Sequence, residues 1–267
     1  MVFNNAASPN EISRADITDN GIATTPIQIT TSPPPTTPPT LPEKQPVKAN
    51  PSLAGNGGTI LYDSANDSVS PPRIISKMNH DGSGGSDIAE DAPFPKQPNI
   101  SSDGRWGVYA REGNLEAIYL PALPTKVVTP IVTSDNNDIQ NPCFNPDMTQ
   151  IVYECKKTED NKTTYGIWMV GVTIDLTANT ITPGQPVQLT NEGANVKDRY
   201  PSFSPDGRYI IFTSNRWEKT DEEAIYVMNS GKTGTSGSGV TRIVDAGKLS
   251  QNNPFAVFGP VNTENDN

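Results

Sequence analysis

Residues 200–216, which read YPSFSPDGRYIIFTSNR, decide the fold together with the apolar segment Ala224–Asn229 that follows them. Residues 204–207 (SPDG) form a tight-turn sequence. Proline presets φ at the first corner, aspartate accepts a backbone N–H two residues on, and glycine tolerates positive φ. The segments on either side are short and rich in β-branched and aromatic residues, which favours strands. The stretch therefore predicts consecutive antiparallel strands joined by a tight turn.

The same pattern occurs twice more along the chain. Residues 98–105 (PNISSDGR) and 142–149 (PCFNPDMT) align with residues 201–208, and each is followed at once by an apolar strand. A third and a fourth strand follow in each repeat, and the spacing after residue 142 predicts an extended hairpin around residues 172–185. Such a four-stranded unit is apolar on both faces, so it must stack against others.

These repeats resemble the WD-like repeat of TolB-type β-propellers, which also forms the propeller domains of prolyl-oligopeptidase-like enzymes. The resemblance covers about residues 58–260 and implies an all-β propeller. It is strongest at residues 200–229 and loosest at residues 142–169, where Met148 and Thr149 replace the Gly-Arg pair. TolB-type propellers usually have six blades, and this chain of 267 residues is too short for six.

The repeat spacing predicts a small propeller of four blades, each with four antiparallel strands. The first unit, residues 59–90, supplies a second, third and fourth strand, and we identify no first strand before them. A related segment, Pro254–Phe258, has no partner after it. We therefore predict that residues 254–258 return to form the innermost strand of the first blade and close the ring without an exposed edge. An open or five-unit arrangement completed by a partner is the alternative.

Composition divides the chain near Gly57. Residues 1–57 hold ten of the 26 prolines but only one of the 18 aromatic residues. Because proline lacks the N–H and fixes φ, it favours extended polyproline II. We predict an extended Pro/Thr-rich tail or linker at 1–57, a propeller at 58–260 and a C-terminal tail at 261–267. The candidate partner-binding residues of the tail are Pro33, Pro34, Pro35, Pro38 and Pro39.

Charge and hydropathy exclude several classes of protein. The net charge is −10, so the basic footprint of a nucleic-acid-binding protein is missing. The mean hydropathy of −0.52 and the short apolar runs predict no transmembrane helix. Residues 1–10 show no basic start followed by an apolar core, so no signal peptide is predicted. The compartment stays open between periplasmic or extracytoplasmic, by resemblance, and cytoplasmic.

The candidate catalytic groups are all explained by turn or packing chemistry. The three aspartates of the repeated turns recur at one turn position in different blades, where turn geometry accounts for them. They are Asp103, Asp147 and Asp206. His80 lies in a predicted surface turn without a nucleophile motif, and Cys143 and Cys155 fall out of register for a disulfide. We therefore predict no catalytic residue, no metal and no cofactor.

Polar residues enter the first strand of each repeat. In TolB-type propellers this strand lines the axis, so the resemblance implies an amide-rich ring at one channel mouth. Its members are Lys96, Gln97, Gln140, Asn141, Arg199, Tyr200, Asn252 and Asn253. Such a ring offers hydrogen bonds but no activated nucleophile and no acid/base pair.

Together these features predict a non-catalytic protein–protein interaction or scaffolding subunit. The propeller would be the docking platform, and the tail would tether it to one or more proteins of a larger assembly, which could be membrane-associated. Two alternatives remain open. One is a small-ligand binder or enzyme with its site in the channel, for which Arg199, Lys96 and Asp198 are the ionisable candidates. The other is a secreted cell-surface repeat protein with residues 1–57 as a stalk.

Overall fold

A computed structural model gives the arrangement of these segments. It describes residues 2–4, 12–14, 27–28, 47–65, 73–89, 95–134, 137–159, 162–191, 196–216, 223–231, 234–235 and 239–244. Every regular element in these ranges is a β-strand, apart from one 3₁₀ turn at Leu120–Ala122. The all-β class is confirmed. The chain divides into two compact units, residues 1–131 and 132–267.

The first unit contains a short three-stranded antiparallel sheet and two four-stranded sheets. The strands of the short sheet are β1 (Val2–Asn4), β2 (Ile12–Arg14) and β3 (Ile27–Gln28). Those of the first four-stranded sheet are β4 (Val47–Leu53), β5 (Thr59–Ala65), β6 (Arg73–Asn79) and β7 (Ser86–Ala89). Those of the second are β8 (Lys96–Ile100), β9 (Trp106–Arg111), β10 (Asn114–Tyr119) and β11 (Val128–Val132). In each sheet, strands that follow one another in the chain are neighbours.

The second unit contains the third and fourth sheets. The third consists of β12 (Asn137–Phe144), β13 (Gln150–Glu159), β14 (Lys162–Asp175) and β15 (Thr180–Gln188). The later strands are β16 (Thr190–Asn191), β17 (Asp198–Phe203), β18 (Tyr209–Ser214), β19 (Ala224–Asn229), β20 (Gly234–Thr235) and β21 (Val240–Val244). The fourth sheet has the order β17-β18-β19-β21, and β16 pairs in parallel with β20. The four predicted four-stranded sheets and the extended β14–β15 hairpin are confirmed.

The first sheet takes its first strand from a different part of the chain than the sequence analysis predicted. β4 pairs with β5 in antiparallel register, with Leu53 opposite Ile60 and Ala49 opposite Asp63. The prediction that residues 254–258 occupy this position is therefore wrong, and those residues lie outside the described part of the chain. Residues 47–53, which the sequence analysis placed in the tail, form β4 of the first sheet.

The turn after β4 explains why this strand belongs to the repeat. Residues 50–58 (NPSLAGNGG) follow the pattern of the other repeats, but the turn lacks the aspartate. Asn56 takes its place: its Oδ1 accepts the backbone N–H of Gly58 at 2.9 Å. Gly57 has a φ of +74°, which is open to glycine without steric cost.

Two of the three predicted turn aspartates have the expected role. Asp103 Oδ1 accepts the backbone N–H of Arg105 at 3.0 Å, and Asp206 Oδ1 accepts that of Arg208 at 3.1 Å. The turn of the third sheet uses Asn145 instead of Asp147, because Asn145 Oδ1 accepts the backbone N–H groups of the two residues that close the turn. Asp147 itself is exposed. Side-chain acceptors thus hold every one of these turns.

Each unit has a core between its two four-stranded sheets. In the first unit Leu61 and Ile75 pack with Tyr109 and Ile118 of the second sheet. In the second unit the third and fourth sheets contribute a larger set of buried residues. These include Val152, Ile167, Phe203, Ile210, Phe212 and Tyr226. Burial of such side chains stabilises each by about 1.5–3 kcal/mol relative to exposure.

We expect a chain that begins at residue 47 to remain folded and a chain that begins at residue 58 to be destabilised. Removal of β4 leaves the β5 backbone unpaired and exposes Ile60 and Leu61, which are fully buried. The thermal midpoint of the shorter chain should fall by at least about 4 °C relative to the longer one. Equal midpoints would contradict the assignment of β4.

We also expect Gly166→Ala to destabilise the second unit. A Cβ at Gly166 would lie 2.9 Å from the backbone oxygen of Thr190, whereas a Cβ at Gly171 on the same strand meets nothing nearer than 4.0 Å. Overpacking of this kind costs about 1–3 kcal/mol. Urea unfolding should show this loss for Gly166→Ala, and Gly171→Ala is the matched control that should show little change.

Candidate functional site

A β-bulge interrupts the first strand of every four-stranded sheet at the residue before the repeat proline. The register shifts there in β4, β8, β12 and β17. All four bulge residues have left-handed backbone conformations. They are Asn50 (φ 49°), Gln97 (φ 54°), Asn141 (φ 50°) and Tyr200 (φ 55°). For a residue other than glycine this conformation costs about 1–2 kcal/mol, so neighbouring groups must hold it in place.

In the first unit the buried carboxylate of Asp63 holds two of these bulges. Asp63 Oδ2 accepts the side-chain amide of Asn50 at 2.9 Å, within its own sheet. It also accepts the backbone N–H of Gln97, in the second sheet, at 2.8 Å. Lys96 precedes Gln97 and is half-buried. One carboxylate therefore joins the bulges of two adjacent sheets.

Glu154 has the same role in the second unit. Its Oε2 accepts the side-chain amide of Asn141 at 2.8 Å and the backbone N–H of Tyr200 at 3.3 Å. Its Oε1 accepts Arg199 Nε at 3.3 Å. Gln140 hydrogen-bonds to Asp138 on the same strand. Sequence repetition thus brings a buried carboxylate to an equivalent position in the first and third sheets.

We call these two groups the bulge clusters. The first consists of Asn50, Asp63, Lys96 and Gln97, and the second of Gln140, Asn141, Glu154, Arg199 and Tyr200. Six of the eight predicted ring residues belong to them. Asn252 and Asn253 lie outside the described residues, as do the tail prolines Pro33, Pro34, Pro35, Pro38 and Pro39.

Burial dominates the electrostatics of Glu154. Desolvation raises the pKa of Glu154 above its ordinary value, and the charge of Arg199 and the hydrogen bonds from Asn141 and Tyr200 only partly offset this. The pKa of Arg199 is raised: burial is the largest single influence and acts against its charge, but the charge and hydrogen bond of Glu154, with Tyr200 and Glu223, together outweigh it. Burial therefore acts against the charges of both Glu154 and Arg199, and each group favours the charge of the other.

Aromatic rings flank the Arg199 guanidinium. Its central carbon lies 5.3 Å from the centroid of the Tyr165 ring and 4.7 Å from that of Tyr200. Cation–π contacts of this kind contribute about 0.5–1 kcal/mol at exposed sites and more when desolvated. The Arg199 side chain keeps 27% of its surface exposed.

Asp198, a candidate from the sequence, has a structural role. Arg216 Nη2 lies 2.6 Å from Asp198 Oδ2, with exposed side-chain fractions of 1% and 0%. The Arg216 guanidinium also packs over Phe212 and Tyr226, whose hydroxyl donates to the Arg216 backbone oxygen at 2.6 Å. Asp198 therefore holds a buried arginine against two aromatic rings of the fourth sheet.

Three residues of the bulge clusters were not identified from the sequence: Asn50, Asp63 and Glu154. The signal for Asn50 was present, because Asn50-Pro51 matches the residue-proline pair that opens every other repeat. The two carboxylates lie on second strands, opposite Ala49 and Gln140. An acidic residue inside an apolar strand was the only signal for them.

The two cysteines lie on the first and second strands of one sheet and the histidine in a surface turn, as predicted. Cys143 and Cys155 are both free, and His80 lies in an exposed turn after β6. Among the described residues, no group of three or more His, Cys, Asp or Glu side chains is arranged to hold a metal ion. In the same part of the chain, no helix is long and apolar enough to cross a membrane.

We expect Glu154 to make stability fall as pH rises. Its folded-state pKa lies above the ordinary value of 4.5, so between these two values the folded chain binds more protons than the unfolded chain. The stability difference between the wild type and Glu154→Gln should therefore decrease as pH rises from 4.5 through the folded pKa of Glu154. Urea titrations at several pH values measure this difference.

Asp206→Asn is the control for that experiment. Hydrogen bonds from the Ser204 hydroxyl and from Arg208 lower the pKa of Asp206 from 3.8 to about 2. Its contribution is therefore present above pH 3.8 and lost as pH falls toward 2, so it is constant in the range where Glu154 acts. A wild-type curve parallel to that of Glu154→Gln above pH 4.5 would contradict the raised pKa.

Comparison with known proteins gives matches among solved structures alone. No protein-family model matches the sequence, and no curated protein sequence matches it. TolB from Acinetobacter baumannii superposes with a TM-score of 0.55 at 15% identity, over 91% of this chain and 51% of that chain. A putative TolB from Agrobacterium tumefaciens superposes with a TM-score of 0.51 at 18% identity, over 83% of this chain and 66% of that chain.

Hydrazine synthase from Kuenenia stuttgartiensis also superposes, with a TM-score of 0.57 at 10% identity, over 88% of this chain and 35% of that chain. The chain thus spans about half of the Acinetobacter TolB and less than that of the synthase. At these identities the similarity bears on the fold alone. With four four-stranded antiparallel sheets and these neighbours, the chain has a TolB-like β-propeller fold.

Proposed function

We propose that this chain is a non-catalytic docking module that binds a protein partner through its bulge clusters. The proposal is supported chiefly by the hydrogen bonds of Asp63 and Glu154. Both carboxylates accept backbone N–H groups that hold the bulges, at 2.8 Å and 3.3 Å. A general acid or base must instead reach a substrate proton. These two carboxylates instead accept hydrogen bonds that join neighbouring sheets.

The side chains around the carboxylates suit recognition. Five residues of the bulge clusters are half-buried, so each keeps part of its surface for contact with a partner: Lys96, Gln97, Gln140, Arg199 and Tyr200. Amide, guanidinium and phenol groups supply directional hydrogen bonds, and Arg and Tyr are enriched among residues that dominate binding energy at interfaces.

The tail would strengthen such docking. Proline-rich sequences such as that of residues 33–39 favour extended conformations, so ordering them on a partner would cost less entropy than ordering a flexible chain. The net charge of −10 favours a partner with a basic face. We propose that the tail tethers the propeller to a larger assembly while the bulge clusters supply the specific contacts.

The enzyme alternative has less support. Of its three candidate residues, Asp198 forms a buried ion pair with Arg216, and Arg199 pairs with Glu154. Asp198 is fully buried beside its arginine, so its carboxyl is not placed to reach a substrate proton.

We expect the double variant Lys96→Ala/Gln140→Ala to lose partner binding. The tagged chain is used to capture proteins from the cells that naturally produce it, and partners are quantified by mass spectrometry. Loss of contacts worth about 1.4 kcal/mol should lower the retained partner about tenfold. Both substitutions leave Asp63 and Glu154 with the hydrogen bonds described above, so the thermal midpoint should stay close to that of the wild type.

Arg208→Ala is the matched control. Arg208 lies in the turn after β17, its side chain is 75% exposed, and its ion pair with Asp206 is on the surface. This variant should retain the partner at the wild-type level. Equal retention by the double variant and the control would exclude the bulge clusters as the docking surface.

A further inference from the structure

A carboxylate at the start of β19 lies at the same end of the fourth sheet as the second bulge cluster. Glu223 immediately precedes β19, whose first residue is opposite Ser214, and Ser214 is in turn opposite Asp198 on β17. Arg199 follows Asp198, so Glu223 and Arg199 are separated by the width of β18. The charge of Glu223 acts on both Arg199 and Tyr200. Glu223 therefore belongs to the electrostatic surroundings of the cluster.

Glu223 has no compensating cation of its own. Its residue is half-buried, and within the described part of the chain its carboxylate makes no hydrogen bond and no ion pair. The other two carboxylates at this end of the sheet are paired, Glu154 with Arg199 and Asp198 with Arg216. Glu223 is thus the acidic group that is left to meet a partner.

Arg199 does not neutralise Glu223, because it is already engaged. Its Nε donates to the buried Glu154 carboxylate at 3.3 Å, and its side chain also hydrogen-bonds to Tyr200. With both carboxylates ionised, two negative charges therefore surround one positive charge. The remaining negative charge attracts an incoming cation and repels an anion. The net charge of the whole chain, −10, acts in the same direction.

The neighbouring aromatic ring selects among cations. Tyr200 is half-buried, and one guanidinium already packs on its ring, since the central carbon of Arg199 lies 4.7 Å from the ring centroid. A guanidinium pairs with both oxygens of a carboxylate in one plane and packs its flat face on aromatic rings. An ammonium is a strongly hydrated point charge and lacks both properties. A carboxylate beside a phenol ring therefore fits an arginine better than a lysine.

We propose that Glu223 is the receptor for an arginine side chain of the protein partner. This inference rests on the proposed docking function and specifies its chemistry. The guanidinium of the partner would pair with the Glu223 carboxylate and pack beside the accessible part of the Tyr200 ring. Arg199 would keep its hydrogen bond to Glu154.

The test uses short peptides on the full chain. Protein labelled with 3-fluorotyrosine is titrated with acetyl-Ala-Arg-Ala-amide and with the analogues that carry citrulline or lysine in place of arginine. The ¹⁹F NMR signal of Tyr200, assigned by its loss in Tyr200→Phe, reports binding. Citrulline has the shape of arginine without its charge. We expect a saturable shift with the arginine peptide and binding at least about tenfold weaker with both analogues.

The peptide comparison can contradict the proposal in two ways. Equal binding of the arginine and citrulline peptides, or no shift with any peptide, would overturn it. Equal binding of the lysine and arginine peptides would overturn the assignment of the partner group to arginine.

Two variants complete the design. Glu223→Gln removes the charge, so we expect its affinity for the arginine peptide to fall about tenfold. Glu112→Gln is the matched control, because Glu112 is an exposed carboxylate in the turn between β9 and β10. It should bind the peptide like the wild type, and equal affinities of the two variants would overturn the role of Glu223. If Glu223→Gln proves unstable, the wild-type comparison of arginine with citrulline peptides still decides the question.

The outcome is independent of the docking experiment. Partner capture is tested with Lys96→Ala/Gln140→Ala, which retains Glu223, and the peptide titration needs no partner. Failure of the titration with the expected capture result would leave the docking function standing and remove its arginine chemistry. Equal capture by the double variant and its control would remove the docking function of the bulge clusters whatever the peptides do.

Discussion

The hydrogen bond from a left-handed backbone N–H to a buried carboxylate is the interaction on which the rest of the structure depends. The residue before each repeat proline adopts a conformation that costs about 1–2 kcal/mol and that proline restricts further. In Gln97 and Tyr200 the N–H of this residue reaches the carboxylate of the preceding sheet, Asp63 or Glu154. A strained position in one sheet is thereby stabilised by its neighbour. The same hydrogen bonds fix the side chains of the candidate site.

The distribution of these carboxylates corresponds to the division of the chain into two units. Asp63 lies on the second strand of the first sheet and joins it to the second sheet, and Glu154 joins the third sheet to the fourth. In the second and fourth sheets the equivalent residues are Ala110 and Thr213, opposite Lys96 and Arg199. Each compact unit therefore contains one pair of sheets joined by a buried carboxylate, with an apolar core packed between them.

Local turn chemistry made most of the fold predictable, and its exceptions account for the errors. Repeats with a serine and an aspartate at fixed spacing gave the strand order of the second and fourth sheets. β4 was not predicted for two reasons. Asn56 replaces the turn aspartate, so the repeat pattern is incomplete there. The strand also follows a proline-rich segment, and the composition of residues 1–57 indicated a tail. Pro51 is compatible with the strand because it follows the bulge residue Asn50. The carboxylates could not be predicted, since the bulge shifts the register that places them.

What an arginine does in this chain follows from what its terminal nitrogens meet. Arg216 is buried with Asp198 in the fourth sheet, where loss of one partner would leave an uncompensated charge. Arg105 is half-buried over Tyr119 and donates to its hydroxyl, which joins the turn before β9 to β10. Arg199 shares the aromatic neighbours but meets its carboxylate through Nε. Arg216 is fully buried with its carboxylate inside one sheet, whereas Arg199 keeps 27% of its side chain exposed and pairs with a carboxylate of the neighbouring sheet.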